Sequence, residues 1–357
     1  MFFYKRLLKL SYFLMLLSLL FLFMYWRMMH NRNTVRELAY REPFNGYLVI
    51  DVDYFKCVTN NGRCPGKIDV AKFGKISATA EPFTVHEGID NPQKDYFLFH
   101  IHNKKYAVRK FDVVHTKLRG LNVAIPNNIS SFIWEMERSR MISCANVDMR
   151  RSWWTLRVIP LSFIDNVVKL RDLMMNLRIT PLLFSGSLLG WYRECTIIPH
   201  TTDFDIALFS PEYKPDLLEQ LKHSKDFSLF WTLGSPSDQF EISVFAENVK
   251  IDIFVLYSLP ETRQIFMGGT DLQNKERLIY MYPEFKKVCT ADMLGRLMFV
   301  PCDPTSIIKT DYGSKWDIDH DTNKYLWNSS PTSIYNKTKL TDQELRTIVT
   351  CYAEAGC

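Results

Sequence analysis

The sequence predicts an α+β protein, a mixed sheet flanked by helices that follows a small β-rich domain and an N-terminal transmembrane helix. Three observations carry this reading: an apolar run ending at Trp26, short β-rich runs between Pro43 and Arg150, and a mixture of helical and strand-like periods after Ser162. The chain has 357 residues, 47% of them hydrophobic, enough to bury a large core once a targeting segment is set aside. Its net charge of +5 is spread over interspersed acids and bases with no basic stripe, which excludes a nucleic-acid partner from the leading classes.

Leu10 to Trp26 is apolar except for Ser11 and Ser18, and with Leu7 and Leu8 it approaches the length that spans a bilayer. The run leads into Tyr25, Trp26, Arg27, Met28 and Met29 rather than small residues, so an uncleaved signal-anchor is expected rather than a signal peptide. Residues 1–9 then form a cytosolic tail, 10–26 the anchor, and the polar segment 27–42 a stem. Flanking charge alone leaves the topology open, since Lys5, Arg6 and Lys9 are matched by Arg27, Arg32 and Arg36. Eight cysteines without a CxxC pair (Cys57, Cys64, Cys144, Cys195, Cys289, Cys302, Cys351 and Cys357) imply disulfides in an oxidising lumen. Glycosylation sequons at Asn128, Asn328 and Asn336 all follow the anchor and agree with a luminal body.

Residues 43–150 read as a β-rich domain, with strands expected over Tyr47–Tyr54, Tyr96–His102 and Lys105–Phe111. Residues 151–357 read as a second domain. A helix capped by Ser162 carries Ile164, Val167, Val168, Leu173 and Met174 at helical spacing and ends before Pro181. A short strand over Leu182–Ser185, a Gly-Ser turn and a short helix over Leu188–Arg193 come next, then a strand over Asp203–Phe209 and a helix over Pro215–His223. Strands are expected near Phe227–Thr232, Phe240–Phe245 and Lys250–Tyr257. Asp303-Pro304 opens a helix that runs to Tyr312-Gly313, and Thr341 with Glu344 makes a capping box for the last helix.

The chemistry is expected where acids gather. On a strand, Asp203 and Asp205 point to one face while Phe204 and Ile206 point to the other. Paired carboxylates repel unless a cation lies between them. In Lys250-Ile251-Asp252-Ile253-Phe254 a lone acid projects opposite its apolar neighbours and needs a partner. If the two strands are neighbours, Asp203, Asp205 and Asp252 converge on a site for Mg²⁺ or Mn²⁺. Upstream, Gly186 and Ser187 stand at a strand-to-helix turn whose backbone N–H groups favour a phosphate. A Gly-Ser turn, an Asp-x-Asp pair and a third Asp on a later strand, in that order, match the nucleotidyltransferase pattern, in which metals clamp a di- or triphosphate. Either part alone is common: Asp51-Val52-Asp53 repeats the acid pair without a Gly-Ser turn before it, and reads as solvent-facing carboxylates on a strand.

The stretch from Phe184 to Ile206 resembles the signature of the LicD/fukutin family in Gly186, Ser187, Leu189-Gly190-Trp191, Arg193, Ile198-Pro199 and Asp203-x-Asp205. Tyr312-Gly313 before Trp316 resembles that family's C-terminal motif, so the likeness covers roughly Phe163 to Ile318. Thr201 and Thr202 stand where bacterial members often carry further acids, so the chain looks closer to the fukutin branch, which sits in the Golgi membrane as single-pass type II proteins. The resemblance implies a phosphotransferase, moving phosphocholine or ribitol 5-phosphate from a CDP-activated donor to a glycan. Under it, Asp203 and Asp205 would hold metal, and Asp252 would complete that site or take the acceptor's proton. Arg193 would meet phosphate charge or pair with a carboxylate, Trp191 and Tyr192 would stack on a base or fill the core, and His200 would line the pocket or make a structural hydrogen bond. Two rivals stand beside it: a glycosyltransferase using nucleotide sugars through Asp51-x-Asp53 or Asp203-x-Asp205, and a non-catalytic glycan-binding scaffold. A homo-oligomer is an open arrangement.

Overall fold

The computed structural model describes residues 15–26, 34–35, 38, 41–60, 62–75, 81–151, 155–320 and 324–352. Among these, two sheets are built, each on its own apolar core. The first comprises β1 (Gly46–Val49), β2 (Ile68–Phe73), β3 (Phe83–Asp90), β4 (Tyr96–Ile101), β5 (Lys104–Arg109), β6 (Val113–Leu118) and β7 (Leu121–Pro126), in the order β5-β4-β3-β2-β1-β7-β6. Its ladders are antiparallel except where β2 meets β3 and β1 meets β7. Helices α1 (Val52–Thr59) and α2 (Ile129–Met136) pack on it through Phe55 and Phe132, whose rings meet edge to face at 5.7 Å.

One expected element changes here. The strand read over Tyr47–Tyr54 stops at Val49, because the Asp51 side chain accepts from Tyr54 N (2.7 Å) and caps α1. The same carboxylate accepts from Asp69 N (3.1 Å), so Asp51 serves the backbone and the pair with Asp53 does not lie on a strand.

The second sheet contains β8 (Leu182–Leu183), β9 (Asp203–Phe209), β10 (Ser228–Ser235), β11 (Asp238–Ala246), β12 (Val249–Leu259), β13 (Gln264–Asp271), β14 (Glu276–Pro283), β15 (Val288–Met293), β16 (Arg296–Pro301), β17 (Ile334–Lys339) and β18 (Val349–Cys351). Its main path runs β15-β16-β8-β9-β12-β11-β10-β18, with β13, β14 and β17 continuing from β12. The parallel ladder between β9 and β12 is central, and both strands alternate as their sequences require: Phe204, Ile206 and Leu208, with Ile251, Ile253 and Val255, are buried on one face, and the aspartates take the other. Around it lie α3 (Ile164–Asn176), α4 (Ser185–Glu194), α5 (Pro215–Lys222), α6 (Pro304–Tyr312) and α7 (Asp342–Ile348). The caps read from sequence form: Asp303 accepts from Ser306 N (3.2 Å), and Thr341 with Glu344 closes a reciprocal box. Ser162 does not cap α3, which is entered through a 3-10 turn at Leu161–Phe163 behind Pro160.

The two sheets are locked by a buried cation. Arg171 of α3 donates to Asp95 Oδ2 and to the Leu297 carbonyl, both at 2.7 Å, while Asp95 Oδ1 accepts from Leu297 N (2.8 Å). Disulfides join Cys57 to Cys64, Cys144 to Cys195 and Cys289 to Cys302, and Cys351 is disulfide-bonded as well. Residues 15–26 form a helix whose Leu, Phe and Trp side chains stand in solvent. Residues 10–14 of the expected anchor lie outside the described residues, and among the described residues no helix is long and apolar enough to cross a membrane.

Candidate active site

The parallel register sets Asp205 beside Asp252 and Asp203 beside Lys250. Neighbours in register point to the same face, and one oxygen from each of Asp203, Asp205 and Asp252 lies within 4.8 Å of the others. The arrangement is costly without a cation. Burial, and then the charges of Asp203 and Asp252, hold the Asp205 carboxyl well above the usual carboxylate range. Burial also raises Asp252, although Lys250 Nζ at 2.9 Å and Ser243 Oγ at 2.6 Å oppose it. An all-oxygen donor set with one lysine against three carboxylates suits a hard divalent cation, so these residues fit a metal site.

Helix α4 delivers backbone to that site. Ser185 turns the chain out of β8 at φ +42°, and the next N–H, that of Gly186, donates to Asp205 Oδ2 at 3.0 Å. A Cβ on Gly186 would lie 3.2 Å from the same oxygen, which is why glycine suits this approach. Ser187 Oγ accepts from Asp205 N at 2.8 Å and is buried behind the strand. The expected Gly-Ser turn is therefore the first turn of a helix that starts earlier than expected, and what the pair holds directly is Asp205.

The three aspartates open onto a cleft of 580 Å³. Gly186, Arg193 and His200 also line it. Trp191 does not: it is fully buried and its indole donates to the Asp292 carbonyl at 2.9 Å, so the expectation that it stacks on a base is corrected in favour of the core. Tyr192 instead packs on Trp316, ring centres 5.5 Å apart. Arg193 is 3% exposed, bonded to Glu194 Oε1 (2.6 Å) and to the carbonyls of Trp316 and Ile318 (3.4 and 3.2 Å). Its donors brace the segment after Tyr312-Gly313 against α4, which joins the two motif blocks of the sequence and leaves the arginine a wall rather than a free phosphate clamp. His200 Nε2 is 3.8 Å from Asp319 Oδ1 on the same wall. Of the sequon residues, Asn336 is exposed on β17, Asn128 caps α2 by accepting from Ser131 N (3.0 Å), and Asn328 Nδ2 donates to Asp271 Oδ2 (2.6 Å).

Three cleft residues have no role in the sequence reading. Glu241 of β11 is enclosed beside Asp252 and is pushed up to about 8 by burial and by that charge; Ser243 Oγ stands 3.3 Å from its Oε1 and takes a 2.6 Å bond from Trp231 Nε1. The alternation of β11, which sets Glu241 and Ser243 on one face, was the available signal. Lys250 was read only as a flank of Asp252. Asp311 in α6 accepts from Ser333 Oγ (2.5 Å) and Tyr282 Oη (3.0 Å), yet burial pushes it up to about 6. A carboxyl whose folded pKa exceeds its unfolded value of about 3.9 adds stability below that value, and the contribution is lost as pH rises through the folded pKa. The Tm of the full chain is therefore expected to fall between pH 4 and 7 by several degrees more than that of Asp311→Asn. Parallel melting curves for the two would contradict the assignment.

The profile of a family described as LicD/FKTN/FKRP, nucleotidyltransferase domain, matches residues 178–303, which runs from the end of α3 through β16 and includes all three aspartates. Among curated proteins, an uncharacterized protein of Caenorhabditis elegans is 31% identical over 319 residues, covering 84% of this chain and 80% of its own length. A second from that organism is 28% identical over 265 residues, 72% of this chain and 69% of its own. Mouse ribitol-5-phosphate transferase FKTN is 30% identical over 226 residues; the match takes in 60% of this chain and 47% of the mouse protein, about half its length.

Proposed function

Since the chain belongs to the LicD/fukutin family, we propose that it transfers a phospho-alditol, or a similar phosphate-linked group, from a CDP-activated donor to the glycan of a glycoprotein. The observation that carries this reading is the meeting of Asp203, Asp205 and Asp252, from neighbouring parallel strands, at the start of α4 and on the wall of one cleft. The name of the mouse relative, a ribitol-5-phosphate transferase, supports the substrate class.

In the transfer, the acceptor hydroxyl oxygen bonds to the phosphorus that carries the alditol, as the bond from that phosphorus to the CMP oxygen breaks. The hydroxyl proton passes to a carboxylate of the site and CMP leaves. Mg²⁺ or Mn²⁺ held by the three aspartates would neutralise phosphate charge as it develops on the leaving group. Gly186 N–H and Ser187 Oγ keep Asp205 in place, Lys250 keeps Asp252 aimed at the other two, and the Arg193 brace holds the opposite wall. Asp51-x-Asp53 offers no rival site, because Asp51 is committed to the backbone of α1 and β2. The exposed apolar helix at residues 15–26 and the disulfides support a type II anchor with the body in the Golgi lumen.

The test incubates the full chain and Mn²⁺ with CDP-ribitol, CDP-glycerol, CDP-choline and UDP-sugars, each with a glycoprotein acceptor. Release of CMP with phosphorus appearing on the acceptor is expected. UDP release, or no nucleotide release from any CDP donor, overturns the reading.

A further inference from the structure

At the mouth of the cleft three large apolar side chains stand in solvent: Ile318, Leu326 and Trp327 are 48, 52 and 51% exposed. Exposed apolar surface of this kind is unfavourable unless something covers it. The segment that presents two of them is held firmly. Tyr280 Oη donates to the Trp327 carbonyl at 3.0 Å, Leu326 N to Ser330 Oγ at 2.8 Å, Asn328 Nδ2 to the buried Asp271 at 2.6 Å, and Lys337 Nζ to the Asn328 carbonyl. The edge of the Trp327 indole lies over the backbone of Gly269, where an added Cβ would meet Trp327 Cζ3 at 3.5 Å and Tyr280 Cε2 at 3.0 Å. The indole is thus preorganised, one edge packed and much of the ring open at the rim of the reaction cleft.

We propose that Trp327 is the acceptor platform, on which a pyranose ring of the glycan stacks while its hydroxyl reaches the acidic end of the cleft; this rests on the proposed transfer to a glycan. The chemistry fits. One face of a pyranose carries slightly positive axial C–H groups, which match the negative face of an indole, and the sugar's hydroxyls stay in water around a ring that is only half enclosed. A nucleobase belongs to the donor, whose phosphates are confined among the aspartates, and an enclosed slot would serve it better. A platform half in solvent suits a ligand that continues outward, as a glycan on a glycoprotein does. Ile318 and Leu326 extend the apolar rim to a second residue of the chain.

The test reads contact without turnover. The full chain is mixed with methyl pyranosides of glucose, galactose, mannose, N-acetylglucosamine and N-acetylgalactosamine, and saturation transfer from protein to sugar C–H protons is recorded by NMR. At least one pyranoside is expected to bind through its axial C–H face, about tenfold more weakly to Trp327→Ala, with most of the binding retained in Trp327→Phe. CMP binding in the presence of Mn²⁺ is expected to be unchanged in both. Equal pyranoside binding by Trp327→Ala, no pyranoside contact with the wild type, or loss of CMP binding in Trp327→Ala overturns the proposal, the last by making the indole a base platform. Quenching of Trp327 by vesicles of brominated phosphatidylcholine, absent with the sugars, would make the rim a lipid contact and overturn it too. A wild type that contacts pyranosides but turns over no CDP donor would sink the transfer reading and leave the platform standing.

Discussion

Replacing Asp205 with Asn is expected to lower transfer by about 10³-fold or more while making the metal-free protein more stable. The two effects have one cause. Asp205 stands half-buried between Asp203 and Asp252, and its carboxylate is disfavoured there by both desolvation and repulsion. An amide of the same size keeps an oxygen for the Gly186 N–H and leaves the Ser187 bond to the strand backbone intact, so the fold is retained. It also removes the like charge, so the melting temperature in EDTA should rise. What the variant loses is the response to Mn²⁺: the wild type should be stabilised progressively, with the logarithm of ion concentration above its dissociation constant, and Asp205→Asn should not. Asp203→Asn and Asp252→Asn are expected to lose comparable activity. Asp51→Asn, which touches only the cap of α1 and the backbone of β2, should transfer at the wild-type rate. An Asp205→Asn protein with full metal-dependent turnover would falsify the site.

Trp191→Ala is expected to cost about 4 kcal/mol of stability, a large share of the whole for a domain of ordinary stability. The indole is fully buried in the core under the second sheet, and its N–H is spent on the Asp292 carbonyl. Truncation therefore leaves a cavity and an orphaned acceptor together. Far-UV circular dichroism on heating the full chain would measure the loss. The KM for donor in whatever fraction remains folded should be unchanged, because Trp191 does not reach the cleft. A selective rise in that KM with normal stability would restore the stacking role that the geometry denies it.

These two residues mark where sequence reasoning succeeds and where it stops. Strand β9 was legible to the residue, since alternating Phe204, Ile206 and Leu208 against Asp203 and Asp205 leaves one way to place the faces. Lys250–Tyr257 fell inside β12 for the same reason, and Asp303-Pro304 announced α6 through cap chemistry alone. The meeting of Asp205 and Asp252 was a conditional statement, because periodicity gives a face and not a neighbour, and the register of β9 on β12 supplied what was missing. Trp191 and Arg193 were ambiguous because a helix of ten residues with apolar and charged groups all round can turn either toward a pocket; packing decided it. Asp51 misled for a simpler reason: a short acid before an apolar run reads as strand or as cap, and Tyr54 N settled the matter three residues on. Glu241 was passed over because an acid in a strand is ordinary until its cross-strand neighbours are known.

The chain leaves β9, makes α5, β10 and β11, and only then returns as β12 to lie alongside β9 in parallel. Contacts so far apart along the chain form slowly, since the entropy of closing the intervening loop is lost before any ladder bond compensates. The acidic cluster cannot exist before that return, so the repulsion among its carboxylates begins only when β12 docks on β9, and it opposes that docking step rather than the formation of either strand's local neighbours.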